Sequence, residues 1–218
     1  TQEMEMARFE LAQKKFTGKS RDIAMGLCIN NILSYQFDER MLEVVNIMME
    51  KYRKSVQDTN YITSIENRFN KRLKLMPGKP APDFTLNNSF NMPIPLSDFK
   101  GNIIYVNVCS SLYPLSKEVI EQLAELQKKF SDNDNIKFMT LALENNRRDE
   151  WIKEVEPTAT KIIHLYLEGD FYNPVSTKYM INSIPQFWII DKEGKIVDLN
   201  AKYPKSEQLE TRLKELLK

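Results

Sequence analysis

The sequence contains 218 residues, of which 42% are hydrophobic and 28% charged, a composition typical of one large or two small globular domains. Thirty-one basic and thirty acidic side chains leave a net charge of +1, so neither nucleic acid nor an anionic membrane surface is expected as a partner. One histidine and two cysteines cannot supply four cysteines, two cysteines with two histidines, or three histidines to a zinc ion, and no glycine spacing matches a phosphate-binding loop. We therefore expect no metal and no cofactor, and no apolar stretch is long enough to span a membrane.

The first 76 residues contain no proline and hold seven of the ten methionines, a composition that favours uninterrupted helices. We predict four helices: one over 3–16, a second from a cap at Ser20 and Asp22 to Tyr35, a third capped by Asp38, and a fourth around 62–73. The third has the clearest apolar face, with side chains at the i, i+3, i+4, i+7 and i+11 spacing: Met41, Val44, Val45, Met48 and Tyr52. We expect the methionines to fill a core, although a methionine-rich interaction surface is the alternative.

All ten prolines lie between Pro77 and Pro204, and three of them occur within 76–83, where the helical region must end. Beyond this point apolar runs alternate with helical stretches. They predict strands at 103–108, 136–143, 162–167, 187–190 and 196–199, and helices at 116–130, 175–179 and 206–217. A βαβ unit and a C-terminal antiparallel hairpin follow from this order. The sequence thus predicts an all-helical region, 1–76, followed by an α/β domain, 77–218.

Several motifs of the α/β region occur in the order in which a known family has them. They are Gly78-Lys-Pro-Ala-Pro-Asp-Phe-Thr-Leu86, Leu96-Ser-Asp-Phe-Lys-Gly101 before the strand at 103–107, Tyr179, Ile184-Pro185, and the strand at 187–191 before Gly194-Lys195. On these motifs, residues 76–217 resemble the TlpA/ResA-like thiol-disulfide oxidoreductases. The resemblance implies a thioredoxin-like fold, in which helices flank a central mixed sheet.

The resemblance also implies where an active site lies, and there the sequence departs from the family. The family's Trp-Cys-x-x-Cys motif falls on 112–116, so that Tyr113 and Ser116 take the positions of the two cysteines. Because disulfide exchange needs an attacking thiolate and a second, resolving thiol, we predict that the inherited reaction is lost. The family also holds the peptide bond between Ile184 and Pro185 cis, in a loop that receives an extended peptide by main-chain hydrogen bonds.

We therefore expect a groove for an extended peptide or protein client at Tyr113, Leu115, Ile184 and Pro185. The competing interpretation is that Pro185 only shapes a turn and that no ligand binds beside it.

The two cysteines leave a second function open. Cys109 ends the first strand of the α/β domain, four residues before Tyr113, and is a candidate thiol for monothiol exchange or peroxide reduction. Free cysteine is among the most buried residue types, so we expect Cys109 to pack in the core. Cys28 lies in an apolar helical stretch and is expected to be buried as well. A disulfide between them requires a close approach of the two Cα atoms.

The remaining chemical groups give weaker signals. His164 lies inside an apolar run and is expected to be structural. A hydrolytic triad with Ser110, Ser111 or Ser116 lacks the expected nucleophile motif. Five carboxylates are interleaved with basic residues at helical spacing, which is typical of a solvated helix face rather than a metal site: Glu144, Asp149, Glu150, Glu154 and Glu156.

Taken with the resemblance, the sequence predicts a redox-inactive module that binds a peptide or assembles with a protein, and the alternative is an enzyme that uses the lone thiol of Cys109. By resemblance alone, the protein is expected in the bacterial periplasm or cell envelope. The sequence begins at Thr1 without an initiator methionine or signal segment, so we expect a processed protein or part of a longer one. A role of the helical region in binding another chain is a third interpretation.

Overall fold

The computed structural model describes residues 1–35, 38–113, 116–155 and 160–218. These residues divide into two compact units, Thr1–Met76 and Pro77–Lys218. The first contains helices only, and the second combines helices with a single sheet. Within the part of the chain that is described, no helix has the length and apolar character needed to cross a membrane.

The helical unit consists of four helices whose apolar faces meet in one core. The helices are α1 (Gln2–Lys15), α2 (Gly18–Tyr35), α3 (Glu39–Ser55) and α4 (Thr59–Leu73). All five residues of the predicted α3 face are buried: Met41, Val44, Val45, Met48 and Tyr52. Met25, Met48 and Met49 are fully enclosed, so these methionines pack the core, as expected from their helical spacing.

The two predicted helix caps of this unit have different outcomes. The Asp38 carboxylate accepts a hydrogen bond from the backbone N–H of Met41 at 3.1 Å, which confirms the cap of α3. The cap at Ser20 and Asp22 is wrong, because α2 already begins at Gly18. Gly18 has a φ of +52°, a left-handed conformation that glycine adopts without a steric penalty. Asp22 is instead buried within α2.

The α/β unit has seven strands and four helices in its described part. The strands are β1 (Thr85–Asn88), β2 (Pro93–Pro95), β3 (Ile103–Cys109), β4 (Ile136–Glu144), β5 (Ile163–Glu168), β6 (Gln186–Ile190) and β7 (Ile196–Asp198). The helices are α5 (Ser116–Lys129), α6 (Arg148–Val155), α7 (Pro174–Tyr179) and α8 (Glu207–Leu217), with short 3₁₀ turns at Leu96–Phe99 and Asp170–Tyr172.

The strands form one mixed sheet in the order β2-β1-β5-β4-β3-β6-β7. β3 pairs in parallel with β4, and α5 connects the two strands, so that β3, α5 and β4 form the predicted βαβ unit. β4 in turn pairs in parallel with β5. β6 runs antiparallel to β3, and the hairpin of β6 and β7 closes one side of the sheet. The sheet therefore has the mixed, helix-flanked architecture that the sequence predicts.

The opposite edge was not predicted. β1 and β2 form a short antiparallel hairpin that adds to β5, and two of the three β2 residues are prolines. Proline cannot donate to a strand ladder, so it is tolerated only at an edge such as this one. β2 therefore lacks the alternating apolar pattern by which the other strands are found.

Alternate residues of the central strands point to the face that α5 and α8 cover. Tyr105 of β3 belongs to this face and stacks on Phe187 of β6, with ring centroids 6.0 Å apart. On α5 and α8, Leu123 and Leu213 are fully buried in the same cluster. Because side chains alternate along a strand, Asn107 and Cys109 share the face of Tyr105. The carboxyl end of β3 thus brings Cys109 to the side of the sheet on which α5 lies.

Candidate functional site

A tight turn follows β3 directly. Residues 110–113 form a β-turn closed by a hydrogen bond of 3.0 Å from the Tyr113 N–H to the Ser110 carbonyl. The Ser110 hydroxyl also accepts a hydrogen bond from the Leu112 N–H at 3.2 Å. The turn leaves Leu112 67% exposed and Tyr113 partly exposed. An apolar and an aromatic side chain are therefore displayed where the chain leaves the centre of the sheet.

The segment before β6 lies beside this turn. The peptide bond between Ile184 and Pro185 is cis, as the resemblance implies, and both side chains are partly exposed. Val108 of β3 pairs with Gln186 of β6. Continuing that antiparallel register by one residue sets Pro185 opposite Cys109. The structure thus brings together Ile184, Pro185 and the turn that holds Tyr113.

The other predicted residues of the groove are described only in part. Leu115 lies outside the described residues, as does Pro114. For Ser116 the backbone is described, as the first residue of α5, and its side chain is not.

Cys109 is a core residue. It is 5% exposed, lies in the β3 ladder opposite Ala142 of β4, and is not part of a disulfide. Cys28 belongs to α2 in the helical unit and is only partly buried, so the expectation of a buried side chain is wrong. The two cysteines do not form a disulfide. Burial, together with the nearby Glu5 carboxylate, raises the pKa of the Cys28 thiol. Cys109 lacks the exposure that an activated cysteine needs, and the raised pKa of Cys28 is opposite to activation.

Glu144 differs most from its predicted environment. The interpretation of Glu144 as part of a solvated helix face is wrong, because it is the last residue of β4 and has 0% exposure. One carboxylate oxygen accepts a hydrogen bond from the Ser111 N–H, and the other accepts from the Ser111 hydroxyl at 3.0 Å. The buried side chain of Glu144 is therefore hydrogen-bonded to the 110–113 turn through Ser111. Only its place at the end of an apolar run distinguished it in the sequence.

A polar row crosses the same face of the sheet. Asn107, Thr140 and His164 are in register on β3, β4 and β5. Thr140 Oγ1 lies 2.8 Å from His164 Nδ1, and burial lowers the pKa of His164 to about 4. The Asn107 amide is fully buried, and neither its nitrogen nor its oxygen has a hydrogen-bonding partner among the described residues.

This row bears on the hydrolase interpretation. The Ser111 hydroxyl donates to Glu144, and Nδ1 of His164 contacts Thr140. Across the described ranges, no three histidine, cysteine, aspartate or glutamate side chains are grouped to hold a metal ion. The described geometry supplies a surface of turn and loop residues at the carboxyl end of β3.

Comparisons with known proteins assign the family. The AhpC/TSA family profile matches residues 77–199. Thiol-disulfide oxidoreductase ResA of Bacillus cereus is 25% identical over 155 residues, which are 71% of this chain and 86% of that protein.

Two solved structures share the fold of the second unit. The thioredoxin domain of a thiol-disulfide oxidoreductase from Bacteroides vulgatus is 21% identical with a TM-score of 0.56, covering 65% of this chain and 98% of that one. A thiol-disulfide oxidoreductase from Bacteroides fragilis is 22% identical with a TM-score of 0.56, covering 63% and 99% of the two chains. These likenesses confirm the thioredoxin-like fold. Since the matched profile spans more than half of the sequence, the chain belongs to the AhpC/TSA family, among the TlpA/ResA-like thioredoxin-fold proteins.

Proposed function

We propose that this protein is a redox-inactive thioredoxin-fold module that binds an extended peptide segment of a client protein. The observation that carries the proposal is the display of Leu112 and Tyr113 on the 110–113 turn, next to the cis-bonded pair Ile184 and Pro185. Two neighbouring loops with exposed or partly exposed apolar side chains suit an extended ligand, which binds by strand addition and apolar side-chain contacts.

The loss of dithiol chemistry is supported by the sequence at the turn. Tyr113 and Ser116 occupy the positions that match the two cysteines of the family, and the chain's cysteines are at 28 and 109. A phenol or an alcohol cannot form the mixed disulfide through which exchange proceeds. In this proposal the protein therefore retains the thioredoxin-like fold but has lost the thiol-disulfide exchange reaction.

The alternative, an enzyme that uses Cys109 alone, is disfavoured by burial. A catalytic thiol must reach its substrate and must ionise below the ordinary pKa of about 8.5. Cys109 is 5% exposed within a ladder between two neighbouring strands, which hinders access of a substrate to the thiol. We further propose a location in the bacterial cell envelope, which is the expectation from the TlpA/ResA-like resemblance.

Binding is tested by screening the purified chain against an array of 12-residue peptides and measuring the best peptide by fluorescence anisotropy. Leu112→Asn is expected to lower the affinity for that peptide roughly tenfold, which is about the effect of losing one apolar contact of 1 to 2 kcal/mol. Leu27→Asn is the matched control, because Leu27 is similarly exposed but lies in the helical unit. Absence of any selective peptide, or equal loss in both variants, contradicts the proposal.

A separate measurement tests redox inactivity. In the presence of dithiothreitol, the protein is expected to reduce insulin disulfides no faster than dithiothreitol does alone. Faster reduction that disappears in Cys109→Ser would establish the thiol enzyme instead.

A further inference from the structure

The buried carboxylate of Glu144 is committed to one residue of the candidate site. Glu144 has 0% exposure, and its two oxygens accept hydrogen bonds from the backbone and the hydroxyl of Ser111. A carboxylate at this depth is costly to bury unless its hydrogen bonds are satisfied. Hydrogen bonds to a charged acceptor are about twice as strong as neutral ones, so the contact fixes Ser111 firmly.

The hydrogen bonds between Glu144 and Ser111 matter because Ser111 lies in the turn of the candidate site. Ser111 is the second residue of the 110–113 turn, and the next two residues are the exposed Leu112 and the partly exposed Tyr113. The Glu144 carboxylate contacts the turn from the protein interior, whereas the peptide of the proposed function would contact the solvent-exposed side of the turn. Glu144 can therefore determine the conformation of the turn without touching the ligand.

We propose that Glu144 is a positioning residue that keeps the 110–113 turn in its binding conformation, an inference that rests on the proposed function. Without the carboxylate, the turn samples other conformations, and only the fraction in the binding conformation accepts the peptide. The apparent affinity falls in proportion to that fraction. The loss appears in the association rate, because the complex, once formed, has the same contacts with the ligand.

The neighbouring strand supplies a matched control. Glu168 of β5 is in register with Glu144 but is exposed to solvent. Removing either carboxylate changes the net charge equally, whereas Glu144 hydrogen-bonds to the turn and Glu168 is exposed to solvent. A difference between the two variants therefore reports the contact with Ser111 rather than the charge.

The experiment measures the binding kinetics of the best array peptide to Glu144→Ala, Glu144→Gln, Ser111→Ala and Glu168→Ala. Glu144→Ala is expected to lower the association rate at least tenfold, with the dissociation rate changed less than about twofold. Glu144→Gln keeps one acceptor oxygen and should give an intermediate loss. Ser111→Ala loses the hydroxyl contact alone and should also be intermediate, whereas Glu168→Ala should match the wild type.

Amide hydrogen exchange separates this inference from the proposed function. Exchange at Ser111 is expected to accelerate at least tenfold in Glu144→Gln, a milder variant chosen because Glu144→Ala can unfold, while exchange at Val106 in β3 is unchanged. If the wild type binds no peptide, the proposed function fails. If the wild type binds and Glu144→Gln changes neither the association rate nor Ser111 exchange, the positioning role is refuted while the binding function stands. Parallel acceleration at Val106 would likewise refute it, because it would indicate a general loss of stability.

Discussion

The reactivity of Cys109 is the sharpest test of a binding module against a thiol enzyme. Single-cysteine variants isolate each thiol: Cys28→Ser leaves Cys109, and Cys109→Ser leaves Cys28. Cys109 is 5% exposed at the end of β3, a strand paired on both sides. A reagent can reach such a thiol only after local or global opening of the sheet.

The magnitude follows from the cost of that opening. Separating a central strand from both neighbours requires a large share of the global stability, which for a domain is about 5 kcal/mol or more. A free energy of about 5 kcal/mol lowers the population of the open form by a factor of about 10³ to 10⁴. Native Cys109 should therefore react about 10³ to 10⁴ times more slowly than in denaturant.

The assay follows release of the coloured thiolate from an aromatic disulfide reagent between roughly pH 5 and 9, with and without urea. The partly exposed Cys28 should react faster than Cys109. Burial raises the pKa of Cys28, so its rate profile should shift to higher pH than that of a free thiol. A native rate for Cys109 within about tenfold of its denatured rate, with a midpoint below about 7.5, would refute the reasoning and establish an activated thiolate.

Two further predictions concern stability. Met48→Ala in the α3 core should destabilise the helical unit by about 2 to 5 kcal/mol, because Met48 is fully buried. Leu11→Ala, at an exposed position of α1, should change stability by less than about 0.5 kcal/mol in the same urea titration. Burial lowers the pKa of His164 to about 4 in the folded protein, so as the pH falls His164 is protonated in the unfolded chain before it is protonated in the folded one. Its contribution to stability is present above about pH 6.5 and is lost as the pH falls towards about 4, a loss of about 3 kcal/mol. His164→Gln should remove that part of the difference between urea titrations at pH 7 and pH 4.5; an unchanged difference contradicts the role of burial.

The predicted parts of the fold are those with strong periodicity. The α3 face could be predicted because five apolar residues recur at helical spacing and are all buried. The central strands β3 and β4 are mainly apolar and largely buried, as expected of strands covered on both faces. Periodicity fails for β1 and β2, since an edge strand containing Pro93 and Pro95 takes its conformation from pairing rather than from an alternating pattern.

The candidate site was predicted unevenly for a related reason. The Ile184–Pro185 bond and the place of Tyr113 follow from motifs that are local in sequence. Glu144 was misassigned because its environment depends on a contact with Ser111, 33 residues earlier in the chain. A carboxylate next to Arg147 and Arg148 suggests a solvated face, and only tertiary structure shows that β4 carries it into the interior.

Placing cysteines at the two positions that match the family motif tests whether the protein lacks only the thiols needed for disulfide exchange. The double variant Tyr113→Cys with Ser116→Cys places thiols at the positions that match the family motif, at and just before the N-terminus of α5. The partial positive charge of a helix N-terminus stabilises a nearby thiolate, so the thiol at position 113 should ionise below about 8.5. The variant should then reduce insulin disulfides, whereas Ser116→Cys alone should not complete the exchange.

The two outcomes have different implications for the remainder of the site. Exchange by the double variant means that Glu144, the turn and the Ile184–Pro185 segment still form a competent thioredoxin surface. That surface would then bind extended segments in the natural protein without oxidising or reducing them. Thiols that titrate as free cysteine and do not exchange would contradict this conclusion, because they would mean that the surroundings of the turn have diverged together with the cysteines. The peptide-binding proposal would then rest on the exposed side chains of Leu112 and Tyr113 without support from the retained scaffold.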